Sequence, residues 1–376
     1  MTAPAPTLSA DDLAAVAAAV QSFAAQEIAP RCARPERPPS PGEVEQVACA
    51  AREFGLLASD PDEPASLWER LDASGVALST ASLATLAGES PGIAWHLHTL
   101  ALGAALERAL GRAPSTSAVA ALELAGGLGR GPLGALLAGE RLTPAARDLL
   151  GEQLAGGRGG CGVQAAEGWE RLLAPRLSPG GAVEWLALER AALTLEPQHG
   201  AHGLDETVAW RVTLPDPLPP ALAASPAEGA AALALGLGLN ALGALAVGLG
   251  SARSALRRAR TYAGQRVQGG RAIAGHPAVQ LLLGAAEANV TAVAALLEAA
   301  GPAPRGLAAL RRALALAAAG HPLLCAAATD ALQVLGGYGY MRDYGVEAAL
   351  RANQHLRLLA TTPRDVHLFL GGGEAP

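Results

Sequence analysis

Apolar residues recur every three to four positions along most of this chain, with one interruption of different texture. From Asp11-Asp12, apolar positions keep helical spacing through Val20, Phe23 and Ile28 until Pro30 stops them. The two aspartates suit the positive end of a helix dipole. After a loop that starts at Pro35, the spacing predicts helices over about 42–54, 65–90 and 92–110. The segment from Gly111 to Gly139 is apolar and Gly-rich and reads as one or two weakly marked helices. Around Gly151 the pattern changes. AGGRGGCGVQAAEG reads as a loop, and VEWLALE, AALTLE and ETVAWRVTLP carry the alternation of half-buried strands, with Trp185 and Trp210 among polar neighbours. Pro215 to Pro220 marks a rigid linker. Beyond it the pattern is helical to the end, broken at Gly269-Gly270, at Pro302 to Pro304 and at a GGYGY turn. No internal repeat is found. The order predicts a mainly α protein with a small β domain (α+β). A helical domain is expected over 1–150, a reduced middle β domain over 151–222 and a helical bundle over 223–376.

One stretch tests that assignment. Gly229 to Ala252 carries no charge and is long enough to span a bilayer. Its six glycines, its central Asn240 and its lack of Ile, Phe and Trp favour a helix buried in the bundle, so no membrane span is expected.

Hydrophobic residues make up 51% of the 376, enough for a sizeable core, but aromatics only 3%. There is no lysine; every basic side chain is Arg or His. Ala, Leu, Gly and Arg dominate as a general bias, so Ala/Leu richness carries no functional meaning. The net charge of −6, without a basic stripe, argues against nucleic acid as a partner. Cys32, Cys49, Cys161 and Cys325 are scattered, which suits a reducing compartment. MTAPAPTLSADD lacks the basic and apolar regions of a signal peptide, and a cytoplasmic location is expected. His96 and His98 are two apart and would point to different sides of a helix, so they make a poor metal pair, and no metal site is expected.

Against so few aromatics, three of the four tyrosines (Tyr338, Tyr340 and Tyr344) fall within seven residues. They follow Gly336-Gly337, which end a long Ala/Leu helix. A Gly-rich turn between helices lets a ligand or a neighbouring subunit approach the backbone. It can also be a corner plugged by aromatics.

The residues themselves extend this. Gln333-Val334-Leu335-Gly336-Gly337-Tyr338-Gly339-Tyr340, with Arg342-Asp343-Tyr344 and Val346-Glu347, resembles the C-terminal signature of the acyl-CoA dehydrogenase family. Tyr262, Arg266, Gln268, Gly270, Ile273 and Gln280 resemble a second motif of that family, with Gly269 where an aromatic is usual. The N-terminal QSFAAQEIAPRCARPER … VACAAREFGLL is similar to the family's opening. The resemblance implies an acyl-CoA dehydrogenase-like fold and FAD as cofactor. It implies that Arg266 grips the pyrophosphate, with Gln268, Gln333, Gly336, Gly337 and Thr362 as further cofactor contacts across a subunit interface. A guanidinium suits that task, because it grips phosphate oxygens in a bidentate fork. It further implies a homodimer or homotetramer that removes hydrogens from the α and β carbons of an acyl-CoA thioester.

Three departures bear on activity. The catalytic Glu of most members falls on Ala360, and the alternative position on Asn240, neither of which takes a proton. The Leu-Thr-Glu-Pro loop that touches the flavin ring aligns with Val163-Gln164-Ala165-Ala166. The Trp-Ile-Ser/Thr-Asn strand that covers the flavin is expected to be absent. No catalytic residue is assigned from sequence, and two functions stay open. One is FAD-dependent α,β-dehydrogenation of an acyl-CoA. The other is a silent homologue acting as a scaffold or partner subunit, in a hetero-oligomer with an intact member.

Overall fold

The computed structural model describes residues 10–60, 65–124, 128, 132–198, 203–359 and 362–372. The N-terminal part is helical: α1 (Ala10–Phe23), α2 (Pro41–Glu53), α3 (Ala73–Ala87) and α4 (Pro91–Ala109). Ser40 and Glu43 form a capping box on α2, and Ser90 caps α4. The helix expected from residue 65 begins only at Ala73, because the Asp72 carboxylate accepts from the Gly75 N–H and fixes the start there. Ahead of it, Trp68 is fully buried with φ of +55°, a conformation a bulky residue adopts only where its surroundings impose it.

Next come β1 (Ala118–Ala120), α5 (Leu133–Leu137), α6 (Pro144–Gln153) and α7 (Ala155–Arg158), then β2 (Gly160–Ala165), β3 (Arg171–Leu177), β4 (Val183–Glu189), β5 (Thr194–Pro197) and β6 (Val208–Thr213). They form two three-stranded sheets of order β1-β3-β4 and β2-β6-β5. β1 runs parallel to β3, and the other pairs are antiparallel. β4, β5 and β6 lie where alternation predicted them. β1, β2 and β3 were hidden: β1 is three residues long inside the Gly-rich segment read as helix, and β2 has glycine at two of its six positions. β2 nonetheless alternates, with Cys161, Val163 and Ala165 buried.

The C-terminal part is α8 (Pro226–Gln265), the hairpin β7 (Val267–Gln268) and β8 (Arg271–Ala272), α9 (Pro277–Glu298), α10 (Leu307–Leu335), α11 (Val346–Leu359) and α12 (Pro363–Gly371). α8 is the axis of the molecule. Every residue from Ala232 to Ala252 is buried, because α3, α4, α9, α10 and α11 all pack against it. α8, α9 and α10 are each long and apolar enough to cross a membrane by length and composition. In α8 that apolar window is 89% buried inside the fold, whereas in α9 it is 17% buried. Alanine and glycine dominate α8 because five helices close in on it. At Gly243 a Cβ would lie 2.2 Å from the His98 ring. The structure is mainly α with a small sheet region, as the sequence predicts.

Candidate functional site

Two cavities matter, and they are built differently. The first, of about 520 Å³, lies where α8 ends, the β7–β8 hairpin turns and α10 gives way to the tyrosine turn. Arg266, Gln268, Gln333, Gly336 and Gly337 all line it, so five of the six expected cofactor contacts converge. α10 stops at Leu335 because Gly336 adopts φ of +58°. A side chain at Gly336 or Gly337 would meet nothing within 4 Å, so this backbone is open to a ligand. The Arg266 guanidinium lies 6.0 Å from the centre of the Tyr338 ring. Tyr262, Tyr338 and Tyr344 form a triangle with centroids 5.4–6.3 Å apart over a small core of Ala259, Ala331, Leu335 and Val346. The tyrosines therefore plug a helix corner while the glycines beside them stay open. Thr362 stands apart: it caps α12, its Oγ1 accepting from the Asp365 N–H at 3.2 Å, and it is not among the residues lining the cavity. His276, at the N-cap position of α9, also lines it and donates through Nε2 to the Gln268 carbonyl at 3.0 Å.

The second cavity, of about 780 Å³, is walled by α4, the end of β1, β2, β6, α8 and α11. Trp95 donates its indole N–H to the Gln164 carbonyl at 2.9 Å, and Trp210 donates to the Ala165 carbonyl at 3.2 Å. These bonds tie β2 to the helical domain on one side and to β6 on the other. The segment Val163–Ala166, which aligns with the family's ring-touching loop without its residues, continues β2 through Ala165, and Val163 and Gln164 line the cavity. β2 and the residues leaving β1 enclose the space together.

Asn240 lines this cavity, so one of the two expected base positions is a carboxamide in the wall. Ala360, the other, lies outside the described residues. Glu123 is the one carboxylate among the described lining residues, and sequence reasoning missed it. Its Oε2 accepts from the Gly162 N–H at 3.1 Å, and Arg158 donates to its backbone carbonyl at 2.9 Å. Its signal was that no other carboxylate occurs between Ala113 and Gly139. Arg158, Arg211 and His355 also line the cavity and bring positive or ionisable groups to its wall.

Behind the wall lie two buried histidines. His96 accepts at Nδ1 from the Ala166 N–H at 3.3 Å, and burial pushes its pKa down to about 4. Burial pushes His98 down to about 3, against a small opposing contribution from Asn240. Both are neutral at pH 7. They do not form a metal pair: His98 turns to Trp68 and His96 to β2.

Comparison with known proteins bears on both cavities. Residues 227–362 match the family described as acyl-CoA dehydrogenase, C-terminal domain. A protein of Bacillus subtilis (strain 168) described as an acyl-CoA dehydrogenase is 39% identical over 116 residues, an alignment spanning 31% of this chain and 31% of that relative. Among solved structures, butyryl-CoA dehydrogenase from Megasphaera elsdenii superposes with a TM-score of 0.72 at 15% identity, covering 98% of this chain and 99% of the other. A glutaryl-CoA dehydrogenase from Mycobacterium smegmatis in complex with FADH2 gives a TM-score of 0.69 at 15% identity, covering 98% and 96%.

Proposed function

Because this chain belongs to the acyl-CoA dehydrogenase family, we propose that it holds FAD and an acyl-CoA thioester and removes hydrogens from the thioester's α and β carbons. The observation that carries the reading is Glu123, a carboxylate in the wall of a cavity large enough for a ligand, opposite chain segments that leave no base at Asn240. The residues around the first cavity fit a dinucleotide: a guanidinium for phosphate, glycine backbone without obstruction, amides and a tyrosine face. Bound FAD would supply a two-electron acceptor. Arg266 would neutralise phosphate charge, and Gln268 and Gln333 would offer amide hydrogen bonds. In the second cavity, Glu123 is the group able to take the α proton, held in reach by the Gly162 N–H. Arg158 and Arg211 supply positive charge to a ligand that carries phosphates, on a chain whose net charge is −6.

The apolar surface near the first cavity supports a homo-oligomer. Val267, Leu281 and Tyr340 are 65%, 75% and 74% exposed, on or beside the hairpin, α9 and the turn. A second copy seated there would bury them and complete a site that one chain leaves open. Asn240 favours one alternative, a silent subunit that assembles with an intact member of the family.

The test is the visible spectrum of the purified chain, followed anaerobically as FAD and then a straight-chain acyl-CoA are added. A flavin band near about 450 nm that bleaches with acyl-CoA supports dehydrogenation. A stable band that acyl-CoA leaves unchanged supports the silent subunit. A protein that takes up no FAD overturns both roles for the first cavity.

A further inference from the structure

The position that could have held a base is wired for a different task. Trp68 donates its indole N–H to His98 Nδ1 at 2.9 Å. An indole N–H only donates, so Nδ1 is an acceptor and carries no proton. His98 is fully buried and neutral, so its one proton sits on Nε2. Nε2 is buried and accepts or donates no hydrogen bond, and the ring packs against Gly243 on α8, one turn from the Asn240 amide. An Asn240 carbonyl oxygen turned toward Nε2 would accept that proton and aim the amide NH2 the other way. Asn240 itself lines the 780 Å³ cavity.

The surroundings hold this chain of groups in place. Trp68 keeps φ of +55°, and its backbone N–H is tied to Ser79 Oγ at 3.0 Å. Sparsely populated backbone conformations of this kind persist where the surroundings over-determine them, and they gather at functional sites. The His98 ring packs edge-on against Trp68 at 5.7 Å and, tilted at 47°, against Trp95, a cavity residue, at 5.0 Å. It can lie so close to α8 only because residue 243, one turn after Asn240, is glycine.

We infer that Trp68, His98 and Asn240 form a fixed hydrogen-bond relay that presents the Asn240 N–H to the cavity, where it holds the carbonyl oxygen of the bound thioester. Asn240 is then a binding residue in the place of a base, and Trp68 and His98 are positioning residues. This rests on the reading of the second cavity as the thioester site. A donor held there favours a thioester over a thioether, because a buried donor left unpaired is costly.

Calorimetric titration of the full chain, with FAD present, separates the two claims. The probes are an acyl-CoA and the alkyl-CoA thioether of equal length, which lacks the carbonyl. The wild type is expected to prefer the thioester. Asn240→Ala and Asn240→Asp are expected to lose about tenfold in thioester affinity and to leave thioether affinity within about twofold. Trp68→Phe, which frees the other His98 tautomer, is expected to erode the same preference, a change that general loosening of the fold would not produce. If Trp68→Phe fails to fold, the Asn240 variants decide. Equal losses for both probes, or an unchanged thioester preference in both Asn240 variants, would overturn the relay. A wild type that binds both probes equally overturns the relay alone. A wild type that binds neither overturns the relay together with the thioester reading. A change in FAD affinity without a change for the thioester would assign the amide to the flavin instead.

Discussion

The two cavities carry unequal records in the sequence. The first cavity is written in two short stretches, residues 262–279 and 333–338, because one helix end, one hairpin and one turn supply nearly all of it. The larger cavity draws on α4, the end of β1, β2, β6, α8 and α11, in pieces spread from Trp95 to Leu359. A contiguous motif survives drift as a recognisable string, whereas a dispersed wall does not. The lesson is that the loss of a family's catalytic residue at its usual place says little until the whole wall is seen, and here a carboxylate stands elsewhere in it.

That comparison can be broken from either side. The largest effect is expected at Glu123. Glu123→Gln should slow acyl-CoA-driven bleaching on the order of a hundredfold to ten-thousandfold, measured by anaerobic stopped-flow, while FAD uptake is unchanged. A variant as fast as wild type would remove Glu123 from the role of base.

Acid should weaken the fold through its buried histidines. His96, His98 and His321 have pKa values pushed down to about 4, about 3 and about 4 by burial. The unfolded chain takes up their protons below about pH 6.5 and the folded chain does not, so stability is intact above that pH. It falls as pH drops toward 4, by up to about 1.4 kcal/mol per pH unit for each histidine. Urea unfolding between pH 7.5 and 4.5 reads this slope. His98→Gln should flatten it, and an unchanged slope would contradict the buried neutral assignment.

At the first cavity, Arg266→Ala should weaken FAD binding about tenfold to a hundredfold, as loss of a charged hydrogen bond does, in a flavin fluorescence titration. The smallest effect is expected at Thr362. Thr362→Ala removes the α12 cap and should cost about 1 kcal/mol in thermal unfolding, with FAD affinity unchanged. A loss of FAD affinity there would restore Thr362 to the cofactor site.

Much of the architecture was legible because periodicity reports packing. The uncharged, glycine-studded run from Gly229 to Ala252 became the buried axis, since helices close in on every side of it. β4 and β6 were legible because Trp185 and Trp210 alternate with polar neighbours. β1 and β2 were not, because the first is three residues long and the second has glycine where β-branched residues would mark a strand. Arg266, Gln333 and Gly336 converged as the motif implied. Glu123 and the pairing of Trp68 with His98 could not be read, because each depends on contacts between residues 30 or more positions apart.

The most direct test of the central claim is solvent deuterium exchange at the α carbon of an acyl-CoA whose β carbon is replaced by sulfur. Such a ligand can lose the α proton but offers no β hydride. With FAD bound, the wild type is expected to exchange that hydrogen, and Glu123→Gln is expected to lose the exchange while holding FAD as before. Binding of FAD and thioester without exchange in the wild type would contradict the account and leave the larger cavity as a binding site alone.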